Sequence, residues 1–302
     1  MTAEKKKFVV PSLMNSGFGA GKVCWSLFHE AATWAHEGRR IEELDFSGVV
    51  HLKPYAVAIV VALASRFGDN FMDSVPPNDA AARDHLIRLG VPDAIGADWG
   101  NAVIRPTNVP LQIVTDRPPA DFSFQTASML AAEFSGGLPA GVTAKIADCI
   151  DEIVLNALGH SESPTGCVVV GQAFPGQDAI EAAIVDLGIT IRGHLSRQFP
   201  VLATDEKAII RAVEEGVTGT PPGKVNRLGD PNSGVGLSDL KGFVEATDGE
   251  LSILSGSALV TFGVKAGSQP LTGRPFPGTL VNVRFNTNPG SGRQRPKSRI
   301  YY

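Results

Sequence analysis

Cysteine is scarce in this chain. Its 302 residues hold only Cys24, Cys149 and Cys167, in no CxxC or CxxH spacing, so a disulfide framework or a regularly spaced zinc module is excluded. Any disulfide would leave one thiol over, and the three are expected as buried thiols in a reducing compartment. Long apolar runs are also missing: the longest, residues 56–64, falls short of the roughly 18 apolar residues that a membrane span requires. The opening Met1-Thr2-Ala3-Glu4-Lys5-Lys6-Lys7 lacks the apolar stretch of a signal peptide. A cytoplasmic protein without membrane contact is therefore expected. Excess positive charge is absent as well; the formal net charge of −4 argues against a general nucleic-acid-binding surface.

What is present suits packed cores, with 43% hydrophobic and 19% charged residues, and the length suggests two domains. The most informative stretch is Asp151-Glu152-Ile153-Val154-Leu155-Asn156-Ala157-Leu158-Gly159-His160. Ile146, Ile150, Ile153 and Ala157 recur at spacings of four, three and four, which predicts a helix with one apolar stripe. Asp148, Glu152, Asn156 and His160 recur at every fourth position and form a second, polar stripe. Taken alone, such a stripe is a solvated helix face. It is also a face on which the Asn156 amide oxygen can hold a hydrated cation while the Glu152 carboxylate addresses a neighbouring water or hydroxyl.

The order of signals downstream favours the second reading. Residues 166–173 and 179–185 read as strands joined by the turn Pro175-Gly176-Gln177-Asp178. The second run leads into Asp186-Leu187-Gly188-Ile189-Thr190, where an acid can accept from an exocyclic amine and a glycine admits a ring close to the backbone. Residues 216–233 hold four glycines and three prolines, too long and irregular for an ordinary connection. They close on Asn232-Ser233-Gly234-Val235-Gly236-Leu237, opening a helix predicted over 237–246; amides exposed at such a start suit phosphate oxygens. A hairpin over 250–254 and 258–264 and a last strand over 279–285 complete the series.

The ordered set E-x-x-x-N-A, D-x-G, glycine-rich lid, G-x-G-L and terminal G-T strand resembles the ATP-binding domain shared by gyrase, heat-shock chaperones, histidine kinases and MutL, over residues 119–286. Within that superfamily the helix, with its following His160, looks closest to the anti-sigma-factor serine kinases. The resemblance implies ATP and Mg²⁺ as cofactors, with Asn156 ligating the metal and Glu152 as general base. It implies contact of Asp186 with the adenine amino group, Gly188 against the ring and Thr279 in support through water. Gly234, Gly236 and Leu237, with lid backbone, would line the phosphates. Thr190 stands where the family usually has a second glycine, which implies either a weakened nucleotide affinity or an altered loop path there. His160 reads either as a helix-end network member or as a functional group.

Residues 1–118 are organised differently, with helices predicted over 23–37, 55–67 and 80–89 and a strand over 42–46. The text Glu43-Leu44-Asp45-Phe46-Ser47-Gly48-Val49-Val50 before an apolar helix resembles the STAS domains that partner the anti-sigma-factor kinases. The turn before that helix reads His51-Leu52-Lys53-Pro54-Tyr55, without the serine that is phosphorylated in such partners. A docking or regulatory role is therefore expected. Ser16-Gly17-Phe18-Gly19-Ala20-Gly21-Lys22-Val23 imitates a P-loop but has Ser16 in the place of the first glycine and Val23 in the place of the Ser or Thr. The proline-rich stretch 105–119 reads as the junction, with a β-like piece at 111–115 assignable to either side, and residues 287–302 as a basic flexible tail.

The expected fold is thus α+β: a C-terminal two-layer sandwich, a mixed sheet with helices on one face, beside a smaller STAS-like α/β unit. Three functions are consistent with it. They are an ATPase whose lid closure switches a protein-binding surface, a serine/threonine kinase acting on a separate protein, and a non-catalytic ATP sensor. Glu152 favours the first two, because a sensor gains little from a base. Self-association is left open.

Overall fold

The computed structural model describes residues 6–12, 22–38, 40–68, 71–100, 108–220, 224–229 and 236–288. The N-terminal part opens with β1 (Lys7–Val9), α1 (Lys22–Glu37), β2 (Glu43–Asp45) and α2 (Pro54–Phe67), and β1 pairs with β2 in parallel. Pro54 starts α2, where its missing N–H costs nothing, and every residue from Pro54 to Ala64 is buried. A helix apolar all round must be covered all round. Next come α3 (Ala80–Arg88), capped by the Asp79 carboxylate accepting from Ala82 N–H at 2.8 Å, and the short α4 (Val91–Ile95).

The remainder contributes β3 (Asn108–Val114), α5 (Phe122–Ala131), α6 (Val142–His160), β4 (Cys167–Phe174), β5 (Ala179–Asp186), α7 (Ile191–Leu195) and α8 (Asp205–Ala212). They are followed by α9 (Gly236–Ala246), β6 (Glu250–Gly256), β7 (Ala258–Gly263), β8 (Gly267–Pro270) and β9 (Phe276–Asn286). The seven strands form one sheet in the order β3-β4-β5-β9-β6-β7-β8, antiparallel at every step. The fold is α+β as expected, but the sheet is not mixed.

Nor is it covered on one face only. On β4 the side chains alternate: Cys167 and Val169 pack with Ile150, Ile153 and Val154 of α6, whereas Val168 and Val170 pack with the core of α1 and α2. Strands buried on both faces read as continuous apolar runs, as Val168-Val169-Val170 does, and the single covered face implied by the family resemblance is corrected. Residues from the N-terminal part and from the sheet share one core, in which Phe28 meets Phe276 with ring centroids 6.3 Å apart. The strand β3 pairs with β4, so the β-like piece of the junction belongs to the large sheet.

Charged groups pin the two parts at the start of α2. The buried Glu181 carboxylate receives Lys53 Nζ at 3.5 Å and Arg284 at 3.4 Å, and Lys53 also lies over the Phe174 ring. Among the described residues no helix is long and apolar enough to cross a membrane.

Candidate functional site

A cleft of about 810 Å³, counted to its open mouth, lies between α6, the ends of β5 and β9, α7 and the start of α9. Glu152, Asn156 and His160 line it from α6, Asp186 from β5, Thr279 from β9, and Gly236 and Leu237 from α9. Elements separated by more than a hundred residues thus bring six of the eight expected site residues to one wall. Gly188 stands behind that wall rather than in it, and Gly234 lies outside the described residues.

On α6 the Asn156 amide nitrogen donates to Glu152 Oε1 at 2.5 Å. The bond engages the nitrogen and leaves the amide oxygen as the group suited to a hard cation. Burial raises the Glu152 carboxyl above its ordinary range, with the Asn156 hydrogen bond acting in the opposite direction. Gly236, the first residue of α9, lies against this carboxyl: a Cβ built there would fall 1.7 Å from the Glu152 carboxyl carbon. Only glycine lets the start of the helix approach so closely.

At the other end, Asp186 is almost wholly buried and held by the Gly188 N–H at 2.9 Å, the Thr279 backbone N–H and the Ser161 hydroxyl. Burial dominates these bonds and pushes the carboxyl up to about 7. Register explains the arrangement, since Asp186 sits directly opposite Thr279 on neighbouring strands. The Thr279 hydroxyl is in turn 3.0 Å from Ser255 Oγ. Gly188 makes a close backbone approach: a Cβ there would lie 1.9 Å from the Ser161 carbonyl oxygen, and Ile189 N–H donates to that oxygen at 2.5 Å.

Thr190 adopts an ordinary extended conformation, φ −72°, and its hydroxyl accepts from Gly193 N–H at 3.1 Å to cap α7. A glycine is not required by the backbone at this point, and Thr190 serves as an ordinary helix cap. That helix supplies a residue the sequence did not point to. His194 lines the cleft, its ring against that of His160 with centroids 4.4 Å apart and planes tilted by 36°. Burial pushes His194 down to about 4 and lowers His160 too, so both rings are neutral at neutral pH. A helix cap at Thr190 was the only signal, since nothing local announces that Ile191-Arg192-Gly193-His194 turns back onto α6.

Much of the remaining wall is apolar, from Ile153, Ile184, Ile189, Ile191, Leu195, Val217 and Val281, with hydroxyls from Ser161, Thr190 and Thr218. No lysine or arginine is among the lining residues described. Residues 217–219 close one side, and further along the lid the Arg227 N–H donates to Gly159 O at 3.3 Å, laying that segment over the end of α6. No family model matches the chain, and no curated protein matches it in sequence, so the site is read from its own geometry.

Proposed function

We propose that the chain is a Mg²⁺-dependent ATP-binding protein, an ATPase of the type shared by gyrase, heat-shock chaperones, histidine kinases and MutL, with a STAS-like N-terminal part as its docking or regulatory element. The observation that carries this reading is the single cleft joining Glu152, Asn156, Gly236 and Leu237 at one end to Asp186 and Thr279 at the other. The apolar slot between them suits a purine, and the buried Asp186 acceptor suits an exocyclic amine.

The donor set fits Mg²⁺ carried by a nucleotide. Among the described residues no group of three or more His, Cys, Asp or Glu could hold a metal, so a soft or fully protein-bound ion has no cage. Asn156 offers one hard amide oxygen, which matches a cation whose other ligands are water and phosphate oxygens. When bound, the metal neutralises charge developing on the transferred phosphoryl group. Glu152, raised by burial, is placed to take the proton of an attacking water, and the start of α9 offers backbone amides to phosphate oxygens.

Hydrolysis is preferred over simple sensing because the Glu152 carboxyl faces the cleft and shares a hydrogen bond with the metal-binding residue. Closure of the 216–233 lid would then alternate two forms of a surface recognised by a protein partner. The test is release of inorganic phosphate from ATP with Mg²⁺, first by the protein alone and then with candidate protein partners. Transfer of label to a serine of a partner would replace hydrolysis by kinase activity. ATP binding without turnover in either setting would leave a sensor, and no ATP binding would end the reading.

A further inference from the structure

His194 has both ring nitrogens buried and without a hydrogen-bond partner, although its ring lines the cleft. Two orphaned nitrogens in one side chain are costly unless a ligand meets them. Their place in the cleft says which part of a ligand that is. Along α6 the order is Asn156, then His160, then Ser161, whose hydroxyl bonds Asp186. The pair His160 and His194 therefore lies between the metal-binding end and the base-binding end.

Resting on the nucleotide reading above, we infer that His194, backed by His160, reads the sugar hydroxyls of the bound nucleoside triphosphate. A nucleotide laid from Asp186 to Asn156 passes its pentose over this pair. A neutral imidazole offers one donor and one acceptor, and a hydroxyl is the ligand group that can answer either. A phosphate oxygen, which only accepts, answers the donor alone. The neighbours keep the ring neutral: burial lowers it first, followed by His160 and Arg197, while Glu162, which is itself paired to Arg197 at 2.5 Å, acts weakly in the opposite sense.

The segment over the ring is built for the contact. A Cβ at Gly219 would fall 2.4 Å from His194 Cδ2 and 2.5 Å from Nε2, so any larger residue would wedge the strap off the imidazole. For a sugar hydroxyl to reach the ring nitrogens, residues 217–219 would move outward.

The test compares binding of ATP, 2′-deoxy-ATP and 3′-deoxy-ATP, with Mg²⁺, to the full chain and to its His194→Phe variant, which keeps an aromatic ring and removes both nitrogens. The unaltered protein is expected to bind at least one deoxy analogue roughly 10-fold or more weaker than ATP. The variant is expected to lose that preference while keeping its preference for ATP over GTP, which Asp186 governs. Equal affinity of the unaltered protein for all three triphosphates would overturn the inference and spare the nucleotide reading. So would the same sugar preference in the variant, or a variant that bound no triphosphate at all. Failure of the unaltered protein to bind any adenine nucleotide would overturn the nucleotide reading, and the inference with it.

Discussion

Asn156 and Glu152, one turn apart on α6, are hydrogen-bonded at 2.5 Å with the amide nitrogen as donor. The bond fixes which end of the carboxamide is available to a cation. Replacing Asn156 with Ala removes the oxygen ligand and leaves Glu152 without its partner in a desolvated place. Mg²⁺-dependent ATP binding is expected to vanish, read by calorimetry with and without the metal. Unchanged affinity would remove Asn156 from the site.

Glu152 acts only when ionised, and burial raises its carboxyl. Turnover should therefore climb as pH rises through a value above the ordinary carboxylate range and fall below it. Glu152→Gln is expected to keep ATP affinity and lose about 10²-fold or more in turnover. A variant that hydrolysed ATP at the original rate would leave the carboxyl without a role as base.

Asp186 ionises at about 7 in the folded chain, against roughly 3.9 for an unfolded aspartate. The folded state thus holds the proton more tightly. Its advantage is whole below about pH 4 and declines as pH rises to about 7, a loss on the order of 4 kcal/mol. Asp186→Asn, which does not titrate, should flatten the dependence of melting temperature on pH between about 4 and 7. Parallel curves for the two proteins would contradict the buried, proton-holding aspartate.

Gly188 and Gly236 are expected to refuse even a methyl group, for separable reasons. At Gly188 a Cβ would meet the rigid Ser161 carbonyl at 1.9 Å, so Gly188→Ala should lower stability by roughly 2 kcal/mol, seen in denaturant unfolding. At Gly236 the Cβ would meet the Glu152 carboxyl, a side chain that can swing away. Gly236→Ala should therefore cost turnover more than stability. The reverse pattern would mean that α9 does not approach Glu152 as described.

Strongly periodic elements were legible in the sequence. The stripe through Ile146, Ile150, Ile153 and Ala157 marks α6, Pro54 marks the start of α2, and the turn at 175–178 separates β4 from β5. The face carrying Glu152 and Asn156 followed from spacing alone. What spacing could not convey was α5, α7 and α8, which are short or have little periodicity, β8, whose four residues are all exposed, and β1, whose pairing with β2 is non-local. His194 was hidden for that reason, since its importance comes from folding back onto His160. The second covered face of the sheet was announced by the unbroken apolar run Val168-Val169-Val170, since a strand packed on one side alternates.

The sheet order places β9 between β5 and β6, although it is the last strand among the described residues. On a ribosome every earlier strand emerges before the one that joins them, so β5 and β6 must wait with their inner edges unpaired. The cleft then forms in a single late event, because Thr279 and its backbone amide reach Asp186 only when β9 docks. Interruption of synthesis before that strand would leave a sticky, unjoined intermediate fit for a chaperone or a protease, with no half-built cleft.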